Sequence, residues 1–488
     1  MERKKSAFTP ENYTRAIVSL SRRFSGTSVF PGNNYIDIRE WMLQDRSLLS
    51  SAKLEEDAIL FASKSEKPHD LVVIYNSGER KWDVQQFSQE QHEAFSATTS
   101  VPAGDSGQIV FIRGFISPSW VSVIGSKYNI DPEFFRRHMD YLSASVERHS
   151  YSFPSLASSS NNIFRLCVST ILHRDDFGGQ DLQSQRSGQS NELASYKIQQ
   201  LGSTRVSCGD SVVREHSTVC SSFSVIEQWI SLCITKTNGS WAVIAWMDQG
   251  RPLEQSPPGP WTSHIESMAT PLPILQHHPR MAFRTTNNRL DPDANASAEV
   301  QQSTAILPLQ YDSLIALVDL ARRAPQDPLS MCIPLFAHAA FSESKEFQRT
   351  RWGLSQYFSN ILNRHAQQLK DSTRALCKLA ERSSQGLNGA KAESPMPKSA
   401  VPPGLGLLED YGELHVRCIN LSKMCTQGIT LAMNKATIEE SRKAIEQSER
   451  LKKLTLLATL FIPLTFSSSL LGMNIDLLGQ NAFSDGAG

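Results

Sequence analysis

Residues Leu454 to Leu471 read LTLLATLFIPLTFSSSLL, 18 residues without a charge. At about 1.5 Å rise per residue, such a run crosses most of a bilayer core of about 30 Å. A buried core helix is the competing reading, and Pro463 with Ser467, Ser468 and Ser469 gives it weight. Soluble helices, however, seldom stay uncharged on every face for about five turns, which favours a membrane span. Arg442, Lys443, Arg450, Lys452 and Lys453 precede the run and only Asp476 and Asp485 follow it. The positive-inside rule then keeps the long N-terminal region in the cytosol and turns the C-terminus outward.

Moving upstream, only Gly412, Gly428 and Pro463 interrupt the helical pattern from Leu407 to Leu471. One helix of roughly 98 Å is predicted there, longer than any bilayer is thick. Tyr411, Leu414, Cys418, Leu421 and Cys425 recur at three- and four-residue intervals, a coiled-coil-like seam. An ordinary bundle helix accounts for that seam, and a stalk carrying motion into the membrane is the functional alternative.

The rest of the chain divides by composition. Residues 1–251 carry short β-like runs at Ala58–Ala62, Asp70–Tyr75, Gln108–Ile112, Phe164–Val168 and Trp241–Trp246, which predict a mixed sheet in an α/β domain. Asp131-Pro-Glu opens a helix, with Asp131 as cap, Pro132 at its first position and Glu133 complementing the dipole. Ser/Gly/Gln-rich stretches at 155–162 and 178–190 read as loops. A Pro-rich linker is expected at 252–311, a helical region at 312–385 with Leu314, Leu317, Val318 and Ala321 on one face, and a disordered linker at 386–406. A stalk helix at 407–453, the span at 454–474 and an outer tail at 475–488 complete an α+β architecture.

The 488 residues and 54.3 kDa exceed one domain. Lys+Arg 49 balance Asp+Glu 49, with a pI near 7.2, so no nucleic-acid partner is expected. A mean hydropathy of −0.31 excludes a many-span membrane protein. The eight cysteines form no C-x-x-C pair and read as reduced thiols. Sequons at Asn12, Asn238, Asn295 and Asn420 are of the kind that occur by chance. The start, Met1-Glu-Arg-Lys-Lys-Ser, has no apolar segment of the secretory type, and Glu2 and Glu11 argue against an organellar presequence. Walker loop, H-E-x-x-H and G-x-S-x-G patterns are missing, and pairs such as His216 with Cys220 are more often structural, so an enzyme is not expected.

The span ends on Pro463-Leu-Thr-Phe-Ser-Ser-Ser-Leu-Leu-Gly-Met-Asn474. Together with Leu454-Thr455, Ala458-Thr459 and Phe461, this string resembles the first transmembrane helix and Gly-Met-Asn signature of the CorA-like magnesium transporters. More loosely, Arg113-Gly-Phe, Pro118-Ser-Trp, Ile124 to His138 and Ala245 to Arg251 look similar to the divergent cytosolic domains of fungal members. The resemblance implies a homopentamer in the membrane, with the long helix lining a pore. Magnesium would be its transported ion rather than a permanently bound cofactor.

The signature has its own physical logic. Magnesium is small, demands octahedral oxygen coordination and sheds water reluctantly, so a pore can recognise the hydrated ion through neutral amide oxygens. Asn474 supplies such an oxygen, and with Gly472 and Met473 it forms the expected selectivity filter. Gly472 lets the backbone depart from the helix, while Met473 offers flexible apolar packing. Walking back at helical intervals gives Ser469, Thr465, Ile462, Ala458, Leu454 and Leu451 as the expected pore-lining stripe. Leu451, Leu454 and Ile462 would form dewetting constrictions, with Thr465 and Ser469 facing the water shell. Packing between membrane helices is the alternative role of these small residues.

Family members carry a second span after the signature, whereas only Ile475 to Gly488 follow it here. This sets the alternative expectation: a tail-anchored, non-transporting regulatory or interaction protein derived from a truncated transporter. Plasma membrane or vacuole fits an untargeted chain of this kind better than mitochondria.

Overall fold

A computed structural model of the chain describes residues 9–22, 35–43, 69–77, 82–98, 107–142, 162–174, 182–202, 206–237, 240–262, 270–276, 300–302, 304, 307–311, 328–350, 356–389 and 403–472. The chain forms two compact units. Met1–Gly353 with Ile361–Asn420 makes the first, and Leu354–Asn360 with Leu421–Gly488 the second.

A mixed sheet organises the first unit. Its strands are β1 (Asp70–Asn76), β2 (Asp83–Ser88), β3 (Gly107–Arg113), β4 (Ile163–His173), β5 (Glu215–Cys220), β6 (Phe223–Thr237), β7 (Ser240–Met247) and β8 (Thr270–Pro271). They run in the order β2-β1-β3-β7-β6-β4-β8, with β5 also paired to β6. β3 and β7 run parallel while their neighbours are antiparallel. Leu71 to Tyr75 and all of β3 and β7 are buried without alternation. Continuous apolar runs of this kind belong to strands covered on both faces.

One face is covered by α1 (Pro10–Arg22), α2 (Ile36–Leu43), α3 (His92–Ala97), α4 (Pro118–Tyr128) and α5 (Pro132–His138). Tyr13, Trp41, Trp120, Phe134 and Phe135 join Val72, Ile74, Ile112 and Trp246 in one core. The indole N–H groups of Trp120 and Trp246 donate to the carbonyls of Gln89 and Gly114, each at 2.8 Å, so neither ring is buried with an unmet polar group. α5 begins as its sequence predicts: the Asp131 side chain accepts from the Glu133 N–H at 2.9 Å.

On the opposite face, Tyr311 packs edge-on against Phe111, with ring centroids 4.8 Å apart, and the Tyr75 hydroxyl donates to the Pro308 carbonyl at 2.8 Å. Helix α7 (Ile333–Thr350) lies along β4, where the Ser169 N–H donates to the Ser342 hydroxyl at 3.1 Å. The stretch read as a Pro-rich linker, 252–311, is therefore partly built into this unit. It supplies β8 to the sheet edge, Tyr311 to the second face, and a buried Trp261 edge-on to Tyr196 at 4.9 Å. β9 (Ile274–Gln276) and β10 (Val300–Gln302) pair as a separate small ribbon in the same stretch.

The loop expected at 178–190 is a helix over most of that range, α6 (Leu182–Tyr196). Tertiary contacts override its poor propensity: Leu193 and Tyr196 are buried, and Arg186 donates to the carbonyls of Thr218 and Val219 at 3.1 and 3.2 Å. Helix α8 (Gln356–Gly389) and helix α9 (Pro403–Gly472) enter the 386–406 linker from its two ends, and Pro403 takes the first helical position where its missing N–H costs nothing. The β-like run at Ala58–Ala62, the loop at 155–161 and the apolar face at Leu314, Leu317, Val318 and Ala321 lie outside the described residues. All eight cysteines are free thiols, and five of them are buried.

The loosely family-like stretches meet at one corner of the sheet. Gly114 sits at φ +75°, a region that L side chains rarely adopt, and a Cβ on Gly250 would stand 2.1 Å from the Gly209 carbonyl oxygen. Beside this crossing, the fully buried Asp248 accepts from Arg214 Nε and Nη2, both at 2.7 Å, and from the Trp229 N–H at 2.6 Å. Burial alone would push the Asp248 carboxyl up, but Arg214 and His138 outweigh it and hold it at about 2. His138 stacks on Trp246 at 3.9 Å and is pushed down to about 4 by burial. These motif residues serve the packing of the corner.

Candidate functional site

Helix α9 changes character along its length. Its first half buries one stripe, Tyr411, Leu414, Cys418, Ser422 and Cys425; four of these are the expected seam, while Ser422 is buried where the seam named Leu421, which is only half-buried. Within the first unit, the Tyr411 hydroxyl donates to the Phe336 carbonyl at 2.9 Å and the Cys418 thiol to the Leu362 carbonyl at 2.9 Å. Within the second, Ser359 stands 3.5 Å from the hydroxyls of Ser422 and Thr426. These contacts leave the remaining faces of the first half free for charge.

Beyond Met433 the helix is exposed almost all round. Charged side chains continue to Lys453, after which the surface is Leu454, Leu456, Leu457, Leu460, Phe461, Ile462, Leu464, Phe466, Leu470 and Leu471, each more than half exposed. Among the described residues this is the one helix long and apolar enough to cross a membrane, and its apolar window is wholly unburied. A soluble core helix would hide such a window, so this exposure argues against the core-helix reading.

Four hydroxyls inside the window bond back to the helix itself. The hydroxyls of Thr455 and Thr459 donate to the carbonyls of Leu451 and Thr455 at 2.8 and 3.0 Å. Thr465 donates to Phe461 and Ile462 at 2.5 and 3.1 Å, and Ser468 to Thr465 at 3.0 Å. Each of these four hydroxyls has its donor met within its own segment, as an apolar surrounding would require. The donation also turns the remaining lone pairs outward, where they can only accept. Pro463 lies within the helix and offers no N–H to the Thr459 carbonyl, a break that membrane helices tolerate.

Leu451, Leu454, Ala458, Ile462, Thr465 and Ser469 all lie on this helix at intervals of three or four residues, and all but the half-buried Ala458 are exposed. Gly472 is the last helical residue, while Met473 and Asn474 lie outside the described residues. The sequence reading missed the threonine ladder from Thr455 to Thr459. Hydroxyls four residues apart in an apolar helix are a signal that could have revealed it. No groups of three or more His, Cys, Asp or Glu able to hold a metal ion occur among the described residues. A wet, oxygen-lined path for a hydrated cation needs no such cluster.

A comparison with curated proteins gives no match. Residues 407–487 match the family model described as CorA-like Mg2+ transporter protein. That segment starts where the long helix leaves its proline and glycine turn, well upstream of the signature, and includes the whole apolar window. The chain is thus similar, from the stalk helix through the span, to the CorA-like Mg2+ transporter protein family, as the string from Leu454 to Asn474 leads one to expect.

Proposed function

We propose that the chain is a membrane subunit that conducts divalent cations, magnesium first among them, along the axis of a homo-oligomer, with no enzymatic cycle. The observation that carries this reading is the unburied apolar window of α9, lying inside the family match on a helix that ends at Gly472. Copies of that helix arranged around an axis would bring Leu451, Leu454 and Ile462 together as apolar constrictions and Thr465 and Ser469 as acceptor rings. A hydrated cation presents water hydrogens outward, so acceptor oxygens are what its shell requires. The Thr465 hydroxyl, its own proton committed to the helix backbone, meets that requirement. Asn474 follows as the neutral amide ring at the outer mouth, with Gly472 and Met473 shaping its turn, and the N-terminal sheet domain faces the cytosol. Lipid surrounds the remaining apolar faces, in plasma or vacuolar membrane.

The full chain reconstituted in vesicles tests this with a magnesium indicator inside. Influx above empty vesicles is expected from the wild type, and Asn474→Ala is expected to lose most of it. Firm membrane attachment without influx in the wild type would instead favour a tail-anchored partner protein.

A further inference from the structure

The first unit contains a buried ionic cluster that joins the sheet to the helices leading toward the span. His365 of α8 is fully buried between two carboxylates: Nδ1 makes a hydrogen bond with Glu343 Oε2 on α7 at 2.7 Å, and Nε2 lies in ion-pair range of Glu227 Oε1 on β6 at 3.3 Å. Arg364, next along α8, pairs with Glu227 and reaches Glu215 of β5 at 3.9 Å. Glu215 is itself met by Lys197 at 2.8 Å. From β4 the Cys167 thiol faces Glu227 Oε2 at 3.7 Å, and from α9 the Tyr411 hydroxyl feels Glu343.

Charge counting decides the state of the ring. Lys197 meets the partly exposed Glu215 at the rim of the cluster, which leaves the buried carboxylates of Glu227 and Glu343 with the single guanidinium of Arg364. A neutral imidazole would leave one buried carboxylate uncompensated, and an unpaired buried charge is strongly destabilising. A neutral ring also carries a single N–H and cannot donate toward two carboxylates at once. His138, the other buried histidine beside a carboxylate, shows the contrast. Its Nε2 lies 3.1 Å from Asp248, already neutralised by Arg214, and its Nδ1 faces the Ser231 hydroxyl at 2.8 Å. A neutral tautomer satisfies every partner of His138, whereas with Glu343 ionised it takes the doubly protonated ring to satisfy those of His365.

We infer that His365 is a buried imidazolium that clamps α7 and α8 to the sheet, and that loss of its proton at alkaline pH releases α8. The cluster is a proton-dependent latch between the sheet and helices α7 and α8. The sign follows from linkage: a proton bound more tightly in the folded than in the unfolded chain stabilises at low pH and ceases to do so as pH rises through the folded-state midpoint.

The test uses the full chain in detergent micelles. In the wild type, deuterium exchange at the C2 carbon of the His365 ring, read by mass spectrometry against pH, gives the protonation midpoint without any substitution. It is expected above the midpoint of the same ring in the unfolded chain. A midpoint at or below the unfolded value would overturn the inference. Amide exchange over Gln356–Gly389, corrected for its intrinsic pH dependence, is expected to rise through that same midpoint, and Glu343→Gln is expected to move the rise to lower pH. An α8 exchange profile flat across the wild-type midpoint also contradicts the latch. If Glu343→Gln does not fold, the two wild-type readings decide the matter alone.

Discussion

The sheet unit and the second half of α9 treat polar and apolar groups in opposite ways. Around the sheet, charges go inside only with partners: Asp248 with Arg214 and His138, Glu227 with Arg364 and His365. Beyond Met433, apolar side chains stand outside, while the hydroxyls of Thr455, Thr459, Thr465 and Ser468 bond back to their own helix. The first pattern is what water outside and a protein core inside select. The second is what hydrocarbon outside selects, where each polar group must be satisfied within its own segment. The change of rule falls between Lys453 and Leu454, where the proposed membrane span would begin.

The largest effects should come from breaking the first rule. Asp248→Ala strands the Arg214 guanidinium in the core and is expected to cost about 3–5 kcal/mol, read as a lost or lowered unfolding midpoint in detergent. Trp246→Ala removes a fully buried ring stacked on His138 and is expected to cost about 3–5 kcal/mol by the same measurement. Acid tests both ionic clusters together. Asp248 and Glu227 are held at about 2, below their ordinary range, so the stability they confer is present at neutral pH. It should drain away as pH falls from the ordinary carboxylate range through about 2, with circular dichroism following the loss. Smaller is the loss of one cap: Asp131→Ala should cost about 1 kcal/mol. Smallest is Arg442→Ala, which breaks an exposed pair with Glu446 and should change stability by no more than about 0.5 kcal/mol. A large loss from Arg442→Ala would show that the charged stretch before the window is not an ordinary solvated surface.

What the sequence revealed follows the reach of each physical signal. The start of α5 was legible because Asp131, Pro132 and Glu133 sit side by side and act locally. β1, β3 and β7 were legible because burial on both faces writes unbroken apolar runs. The window from Leu454 was legible because hydrocarbon demands a long run without charge. α6 was hidden because a Ser/Gln-rich segment becomes helix only through Leu193, Tyr196 and the carbonyls that Arg186 meets on β5. β6 was hidden because Glu227 and Gln228 interrupt its apolar pattern, and the partners that justify a buried Glu227 lie on α8, far along the chain. At the site, the spacing from Leu451 to Ser469 could be read from periodicity, and the back-bonding of Thr465 follows a local rule for hydroxyls in apolar helices that the reading did not apply.

The central claim, that one face of α9 lines a cation path, is tested most directly by single cysteines introduced in the reconstituted full chain. Thr465→Cys and Ser469→Cys lie on the stripe, and Leu460→Cys and Leu464→Cys lie off it. Magnesium influx is measured before and after a charged, water-soluble thiol reagent, with the wild type and its native thiols treated in parallel. Influx should be blocked in the stripe variants and remain at the treated wild-type level in the other two. Equal block on both faces, or block only at Leu460 and Leu464, would contradict the account.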